Sequence, residues 1–442
     1  MDRAQIPVTI LSGTLGAGKT TTLNYLLTAD HGYEVAVLVN DVGEVNVDAE
    51  HVERHVEGEV IELSNGCICC GLQGELTQSV IRLVQDQEFE YLLVEPSGIS
   101  EPAPVAKQFV QGPASHLYQL NSVTTVVDAR QFYDAFGEGP AERRGEDEHG
   151  RPLSDLIVEG VEFCDTLLVN KADLVSETEL KTVIETLQTL QPEAALFVTE
   201  FGQVEPAELL DSGRFDRDIE QSARWKQTLE SYEEDGHDHS EEGGHNHGEK
   251  DGHDHGEEHG HDHSEEHGHD HVHPPEEYGI ESFVYQESRP MHPERLATFF
   301  ETVPEGVVRA KGWIHVTDRD RYALELSLAG RESHITVAGR WIASLPEQRQ
   351  SRYRDLHEPY WDEQWGDRET RLVIIGRGID RDAIERALDE CVAKEDERVA
   401  DQHKSDHGDK TDEEEKTNDG DASDSKNPFP NGPGDELRLR AA

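Results

Sequence analysis

The first half of the chain alternates short apolar runs with segments of helical periodicity. The apolar runs span residues 8–12, 34–40, 91–96, 123–129, 166–171 and 194–199, and helix-like stretches such as KTTTLNYLL and ETELKTVIETLQTL separate several of them. Runs that are apolar on both faces and spaced by helices are typical of the strands of a mainly parallel sheet. The pattern predicts an α/β domain over residues 1–205, with helices on both faces of its sheet.

The pattern changes twice after this domain. Residues 206–277 are predicted to be a linker with a disordered insert, because residues 233–277 carry almost no apolar side chains that could offset the entropy of ordering. Strand-like runs and two helical segments return over residues 278–393 and predict a smaller C-terminal α+β domain. Residues 394–442 are charged and polar, and they are predicted to form a disordered acidic tail.

The chain is strongly acidic throughout. Its 442 residues include 94 Asp and Glu against 40 Lys and Arg, which gives a formal charge of −54. Residues 231–273 hold −14 of this charge and residues 394–436 hold −9, so −31 lies on the remainder. This balance excludes a protein held on nucleic acid or on a membrane by a general basic surface. An acid-rich, Lys-poor surface favours a halophilic protein, and an acidic mesophilic protein is the alternative.

The cysteine pattern indicates the redox state of the cellular compartment. Five cysteines are present and three of them fall within four residues, which is not a disulfide framework and favours a reducing compartment with a metal or redox site. The N-terminal apolar run is short and leads directly into a glycine loop, and no run approaches 18 apolar residues. We therefore expect a cytoplasmic protein.

A glycine-rich segment follows the first predicted strand and opens a predicted helix. The sequence GTLGAGKT fits the phosphate-loop pattern G-x-x-x-x-G-K-[ST]. Its backbone N–H groups can surround phosphates, Lys19 can reach the β and γ oxygens, and the Thr20 hydroxyl can ligate Mg²⁺. The predicted phosphate-binding residues are Gly13, Gly16, Ala17, Gly18, Lys19, Thr20 and Thr21.

A second motif, Asn170-Lys171-Ala-Asp173, ends a predicted strand. The carboxylate of Asp173 can accept hydrogen bonds from N1–H and the 2-amino group of guanine. Adenine offers neither donor, and an unpaired carboxylate is costly enough to discriminate against it. The motif therefore predicts GTP as the nucleotide.

The strand at residues 91–95 ends in Glu95, within the motif EPSG. An acid at this edge of a sheet can hold Mg²⁺ or orient an attacking water, and the backbone N–H of Gly98 could contact the γ-phosphate. We predict that Lys19, Glu95 and Gly98 are catalytic. The polar cluster NDVGE, which includes Asp41, is a candidate switch segment.

Two further segments predict metal binding. Cys67, Cys69 and Cys70 can supply two or three thiolates to one ion such as Zn²⁺, although a redox pair or part of an iron–sulfur site is also possible. The insert repeats Gly-His-(Asp/Asn)-His every eight residues, which favours weak metal capture over an incidental solvated linker. The repeat histidines are His237, His239, His245, His247, His253, His255, His261, His263, His269 and His271.

The order of these motifs resembles the CobW-like family of P-loop GTPases, the metal-handling group of the SIMIBI class. The resemblance runs through GTLGAGKTT, NDVGEVNVD, NGCICC, EPSGISEP, VVDA and NKADL, and continues in GIESFVY, RPMHPERL, RAKGW and GDRETRLVIIG. It covers residues 7–202 and 278–393, which includes both predicted domains.

The resemblance implies a GTP-dependent metallochaperone that carries zinc, or cobalt as the next candidate, to a client metalloprotein or a cofactor-biosynthesis enzyme. It implies that Cys67, Cys69 and Cys70 bind the metal and that Glu95 is the Walker B acid. Asp41 stands where the family usually has Glu, and we expect it to contact Mg²⁺ with Thr20 and Glu95.

Two other functions fit parts of the pattern. A metal-buffering protein would rely on the His repeat, and a regulatory GTPase would use the Cys segment as a structural site. The phosphate loop and the base-reading motif argue against buffering alone. The sequence leaves the oligomeric state open.

Overall fold

A computed structural model describes most of the two predicted domains. The described residues are 5–29, 31–39, 60–62, 80–84, 89–96, 102–136, 152–210, 212–216, 223–230, 280–354, 361–395, 397 and 427–441.

The first domain is built on a parallel sheet, as the apolar runs predict. Within the described residues its strands are β1 (Ile6–Ser12), β2 (Val35–Val39), β3 (Val60–Glu62), β4 (Tyr91–Glu95), β5 (Tyr118–Asp128), β6 (Thr166–Asn170) and β7 (Ala195–Val198). They are ordered β3-β2-β4-β1-β5-β6-β7, and every pair is parallel. Strand β5 begins five residues before the predicted run because its start pairs with the start of β1.

Helices cover both faces of this sheet. They are α1 (Lys19–Thr28), α2 (Pro102–Val110), α3 (Ala129–Phe136), α4 (Leu153–Glu162), α5 (Glu177–Leu190) and the short α6 (Ala207–Leu210), with further helical residues at 80–84. Successive strand side chains point to opposite faces, so Val8 and Ile10 of β1 join the core under α2 to α5, while Leu11 joins the core under α1 and α6. The predicted α/β architecture is confirmed.

The second domain has an antiparallel sheet with its own core. Its strands are β8 (Ile280–Glu287), β9 (Val307–Ile314), β10 (Tyr322–Ala329), β11 (Glu332–Arg340), β12 (Thr370–Arg377) and β13 (Glu436–Arg440), in the order β13-β11-β10-β9-β12-β8. Its helices are α7 (Pro293–Glu301), α8 (Glu347–Arg354) and α9 (Arg381–Cys391), of which α7 and α9 cover one face of the sheet.

Two segments that the sequence analysis assigned to linker and tail are packed. Leu209 and Leu210 of α6 are fully buried against the first sheet, and Trp225 contributes to an apolar cluster on the second sheet. The expected disordered tail ends in β13, where Leu437 and Leu439 face the second core. The sequence analysis missed β13 because two leucines that alternate with charged residues predict a strand only weakly. The segment becomes a strand by pairing with the edge of the sheet.

The second sheet meets the first domain through buried polar side chains. Arg309 of β9 is almost fully buried and pairs with Glu162 of α4, with Nε 2.8 Å from Oε1. The hydroxyl of Ser327 accepts from Arg309 at 2.7 Å and donates to Asp155 at 2.8 Å. Burial alone lowers the pKa of Arg309, but the paired carboxylate outweighs burial and the net pKa is raised. The guanidinium therefore stays charged inside the interface.

Within the described residues, no helix is both long enough and apolar enough to cross a membrane.

We predict that Arg309→Ala lowers the free energy of unfolding by about 3–5 kcal/mol, because it leaves the Glu162 carboxylate buried without its cation. Urea denaturation followed by tryptophan fluorescence measures the loss. Arg381→Ala is the matched control, since Arg381 pairs with Glu385 at the surface and should cost about 0–1 kcal/mol.

Replacing both partners, as Arg309→Met with Glu162→Met, should recover most of the lost stability because neither member of the pair is left buried without the other. Equal effects of Arg309→Ala and Arg381→Ala would show that the buried pair does not hold the interface.

Candidate functional site

The parallel sheet directs its strand ends to one edge. Strand β1 lies between β4 and β5, with β2 to β4 on one side of it and β5 to β7 on the other. Ligands of open α/β sheets bind outside the carboxyl ends of the strands at this kind of switch point. The predicted phosphate loop follows β1, Glu95 ends β4 and Asn170 ends β6.

The phosphate loop has the backbone that its glycines permit. Gly13, Gly16 and Gly18 all have positive φ, of 138°, 77° and 109°. At Gly13 an added Cβ would lie 2.3 Å from the carbonyl oxygen of Val126, so the loop passes too close to β5 for any side chain. Gly18 offers no side chain to cap α1, which leaves the start of that helix suited to an anion.

Lys19, Thr20 and Glu95 converge at the start of α1. The Lys19 ammonium is buried and donates to the Thr14 carbonyl oxygen at 3.3 Å. The Thr20 hydroxyl donates to Oε1 of Glu95 at 3.2 Å, and Glu95 is 3% exposed at the end of β4. The structure thus places Glu95, at the end of β4, against the first turn of α1, where Lys19 and Thr20 lie.

Asn170 joins the phosphate loop to the loop that follows β7. Its side chain is buried, and Nδ2 donates to the Ala17 carbonyl oxygen at 2.9 Å. Oδ1 accepts from the backbone N–H of Gly202 at 2.9 Å and from the Thr199 hydroxyl at 3.2 Å. A Cβ on Gly18 would lie 2.2 Å from Nδ2, so this amide also requires glycine there.

Lys171 is held by an aspartate that the sequence analysis did not select. Its Nζ lies 2.7 Å from Oδ2 of Asp128, at the end of β5. Oδ1 of Asp128 accepts from the backbone N–H groups of Arg130 and Gln131 and so caps α3. The motif VVDA contained the signal, but nothing in the sequence identified Lys171 as its partner.

Asp173, the predicted base-reading residue, faces solvent. Asp173 lies in a one-turn 3₁₀ helix (Ala172–Leu174), and its side chain is exposed. A carboxylate that must receive a base is expected to be accessible, and its neighbours Asn170 and Lys171 supply the fixed support.

Two further side chains support the site. The Thr14 hydroxyl donates to Oε1 of Gln131 at 2.6 Å, which ties the phosphate loop to α3. Arg130 joins α3 to α5 through Glu179 at 2.9 Å. The backbone N–H of Ser176, and then Arg130, lower the pKa of Glu179 to about 2. No sequence pattern pointed to Gln131.

Several predicted site residues lie outside the described part of the chain. They are Asp41, Cys67, Cys69, Cys70, Gly98 and the ten histidines of the repeat. Within the described ranges, no group of three or more His, Cys, Asp or Glu residues is arranged to hold a metal. Cys164 and Cys391 are free thiols buried in the cores of the first and second domains.

Both domains match known families. Residues 7–198 match the CobW/HypB/UreG nucleotide-binding domain, and residues 280–392 match the C-terminal domain of the cobalamin synthesis protein cobW. The zinc-regulated GTPase metalloprotein activator 1 of Dictyostelium discoideum is 32% identical over 421 residues, which span 88% of this chain and 80% of that protein.

Shorter and more distant similarities extend the comparison. The zinc chaperone CobW of Pseudomonas aeruginosa is 34% identical over 196 residues, which cover 41% of this chain and 52% of that protein. The crystal structure of Zn(II)-bound YjiA GTPase from E. coli aligns with 88% of this chain and 100% of that chain, at 18% identity and a TM-score of 0.37.

We predict that Asp128→Asn weakens GDP binding about fivefold to tenfold while leaving the melting temperature nearly unchanged. The asparagine oxygen can still cap α3, but the amide lacks the charge that holds Lys171. Isothermal titration calorimetry and thermal unfolding measure the two effects separately.

Asp134→Asn is the matched control, because Asp134 also lies on α3 but pairs with Arg130 rather than with Lys171. Asp128→Ala should lose both the cap and the ion pair, and so lower stability as well as affinity. Undiminished GDP affinity in Asp128→Asn would contradict a role for Asp128 in the nucleotide site.

Proposed function

The chain belongs to the CobW family of P-loop GTPases, and on that premise we propose that it is a GTP-hydrolysing metallochaperone. Its cargo would be zinc, with cobalt as the next candidate, and its recipient a client metalloprotein or an enzyme of metal-cofactor biosynthesis. The observation that carries this proposal is the Asn170 network, which joins the phosphate loop at Ala17 to the loop that follows β7 at Gly202. The names of the related zinc chaperone and zinc-regulated activator support zinc.

The phosphate loop supplies the contacts for GTP. Its glycine backbone and the uncapped start of α1 would surround the phosphates with N–H donors. The Lys19 ammonium, which donates to Thr14 within the loop, would exchange this contact for the β and γ oxygens. Because Lys19 is buried, its charge would act in a medium that screens little.

Thr20 and Glu95 fit a magnesium site. A hydroxyl and a carboxylate within 3.2 Å are hard oxygen donors, which Mg²⁺ prefers, and the predicted third ligand is Asp41. Magnesium bound here would neutralise charge on the β and γ phosphates. Glu95 would hold the ion or orient the attacking water, and Gly98 would add a backbone donor.

Asp173 would select the base. Its exposed carboxylate can accept from the two donors on the guanine edge, and adenine would leave it unpaired. Lys171, held by Asp128, would fix the loop in position for this contact.

The position of β3 supports a link between nucleotide and metal. Glu62 and Glu95 are both in register with Val39, so β3 and β4 end at the same edge of the sheet. Cys67 follows Glu62 by five residues, a reach of about 17 Å, and β3 lies about 14 Å from β1 across three strand spacings. The Cys67, Cys69 and Cys70 thiolates would therefore come within reach of loops that respond to the γ-phosphate.

We predict that Zn²⁺ binds with affinities that differ about tenfold between the protein loaded with a non-hydrolysable GTP analogue and the protein loaded with GDP. Competition titrations with a chromophoric chelator measure both constants. Cys67→Ser with Cys69→Ser and Cys70→Ser should abolish tight binding. Equal Zn²⁺ affinity in the two nucleotide states would refute the coupling between nucleotide state and metal binding.

Deletion of residues 233–273 separates this function from metal buffering. A chaperone should keep GTP hydrolysis and one tight Zn²⁺ site after the deletion, whereas a buffer would lose its metal capacity. Global unfolding of the cysteine variants, with GTP turnover insensitive to metal in the wild type, would instead favour a regulatory GTPase with a structural metal site.

A further inference from the structure

A tight turn carries an unusual residue next to residues 170–173, the segment with the predicted base-reading motif, called here the base-reading loop. The backbone N–H of Gln203 donates to the Glu200 carbonyl oxygen at 3.2 Å, and the two central residues, Phe201 and Gly202, have φ of 54° and 69°. Turns with positive φ at both central positions favour Asn, Asp or Gly. Phenylalanine at the first central position therefore opposes the local backbone preference.

Burial of the Phe201 side chain does not offset the free-energy cost of this backbone conformation. Its side chain is 65% exposed, so the ring gains little from the protein core. A non-glycine residue in the left-handed region is strained, and such strain clusters where a protein binds a ligand. An exposed aromatic ring on a strained backbone indicates a contact that the chain alone does not provide.

Two backbone N–H groups donate hydrogen bonds that hold the turn next to the candidate nucleotide site. The N–H of Gly202 donates to Oδ1 of Asn170 at 2.9 Å, and the N–H of Ala172 donates to the Thr199 carbonyl oxygen at 3.3 Å. Ala172 is the immediate neighbour of Asp173, so the loop after β7 and the base-reading loop are joined next to the residue that would read the base.

Gly202 allows the turn to pack directly against α1. An added Cβ at this position would lie 2.4 Å from the Thr22 hydroxyl and 2.8 Å from its backbone, so the turn presses directly on α1. Within the described residues three non-glycine residues have positive φ. Two of them adjoin the Asn170 contacts, since Lys171 directly follows Asn170 and Phe201 directly precedes Gly202.

We propose that Phe201 stacks on the face of the purine base while Asp173 reads its edge. This inference deepens the proposed function and rests on guanine-nucleotide binding. An aromatic ring stacks on a base without reading its hydrogen-bonding groups. Phe201 would therefore add affinity for any purine, and Asp173 would choose among purines.

The test compares full-length wild type with Phe201→Ala and Phe201→Gly by calorimetric titration of GDP and, as a probe without a base, pyrophosphate, both with Mg²⁺. We expect both variants to bind GDP about tenfold more weakly and pyrophosphate as the wild type does. In the absence of nucleotide, Phe201→Gly should melt at the same or a higher temperature, because glycine relieves the strain.

Tyr353→Ala is the matched control, since Tyr353 is an exposed aromatic residue of the second domain and should leave GDP affinity unchanged. Phe201→Trp adds a direct signal. The five native tryptophans all lie at residue 225 or beyond, so quenching of the new fluorescence by GDP but not by pyrophosphate would report stacking.

GDP binding by Phe201→Ala at wild-type strength would overturn the inference. Equal losses for GDP and pyrophosphate would also overturn it, because they would show that the turn shapes the phosphate loop. Failure of the wild type to bind GDP or GTP would be a different result, since it would refute guanine-nucleotide binding itself.

Discussion

The buried amide of Asn170 is the contact on which the candidate site depends. One side-chain donor fixes the phosphate loop at Ala17, and one acceptor fixes the turn at Gly202. Because the amide is almost fully buried, each of these bonds would be costly to leave unmade. The same close approach requires glycine at position 18, so the loop sequence and the motif at Asn170 constrain each other although they lie 152 residues apart in the chain.

The second domain contacts the segment that leads into β6, the strand that ends in this amide. Glu162 ends α4 and pairs with Arg309 of the second sheet, and eight residues later β6 ends at Asn170. Between them, the carboxylate of Asp165 accepts from the Ser122 hydroxyl and the Val123 backbone at the start of this part of the sheet. The second domain is thereby attached to the segment that positions the base-reading loop, through charges that are paired inside the protein.

The site separates buried support from exposed contact groups. Lys19, Glu95 and Asn170 are buried, and each makes a hydrogen bond with the phosphate loop or the start of α1, whereas Asp173 and Phe201 face solvent. Buried polar groups keep their geometry because alternatives leave them unpaired, and exposed groups remain free to meet a ligand.

Local patterns determined the fold class, the phosphate loop and the base-reading motif, because strand alternation, glycine spacing and short motifs act through neighbouring residues. The structure confirmed the α/β sheet, and in it Glu95 accepts a hydrogen bond from Thr20 at the start of α1. Contacts between distant segments could not be read in this way. The partner of Lys171, the strand β13 and the turn at Phe201 depend on which surfaces meet after folding, and only the tertiary structure decided them.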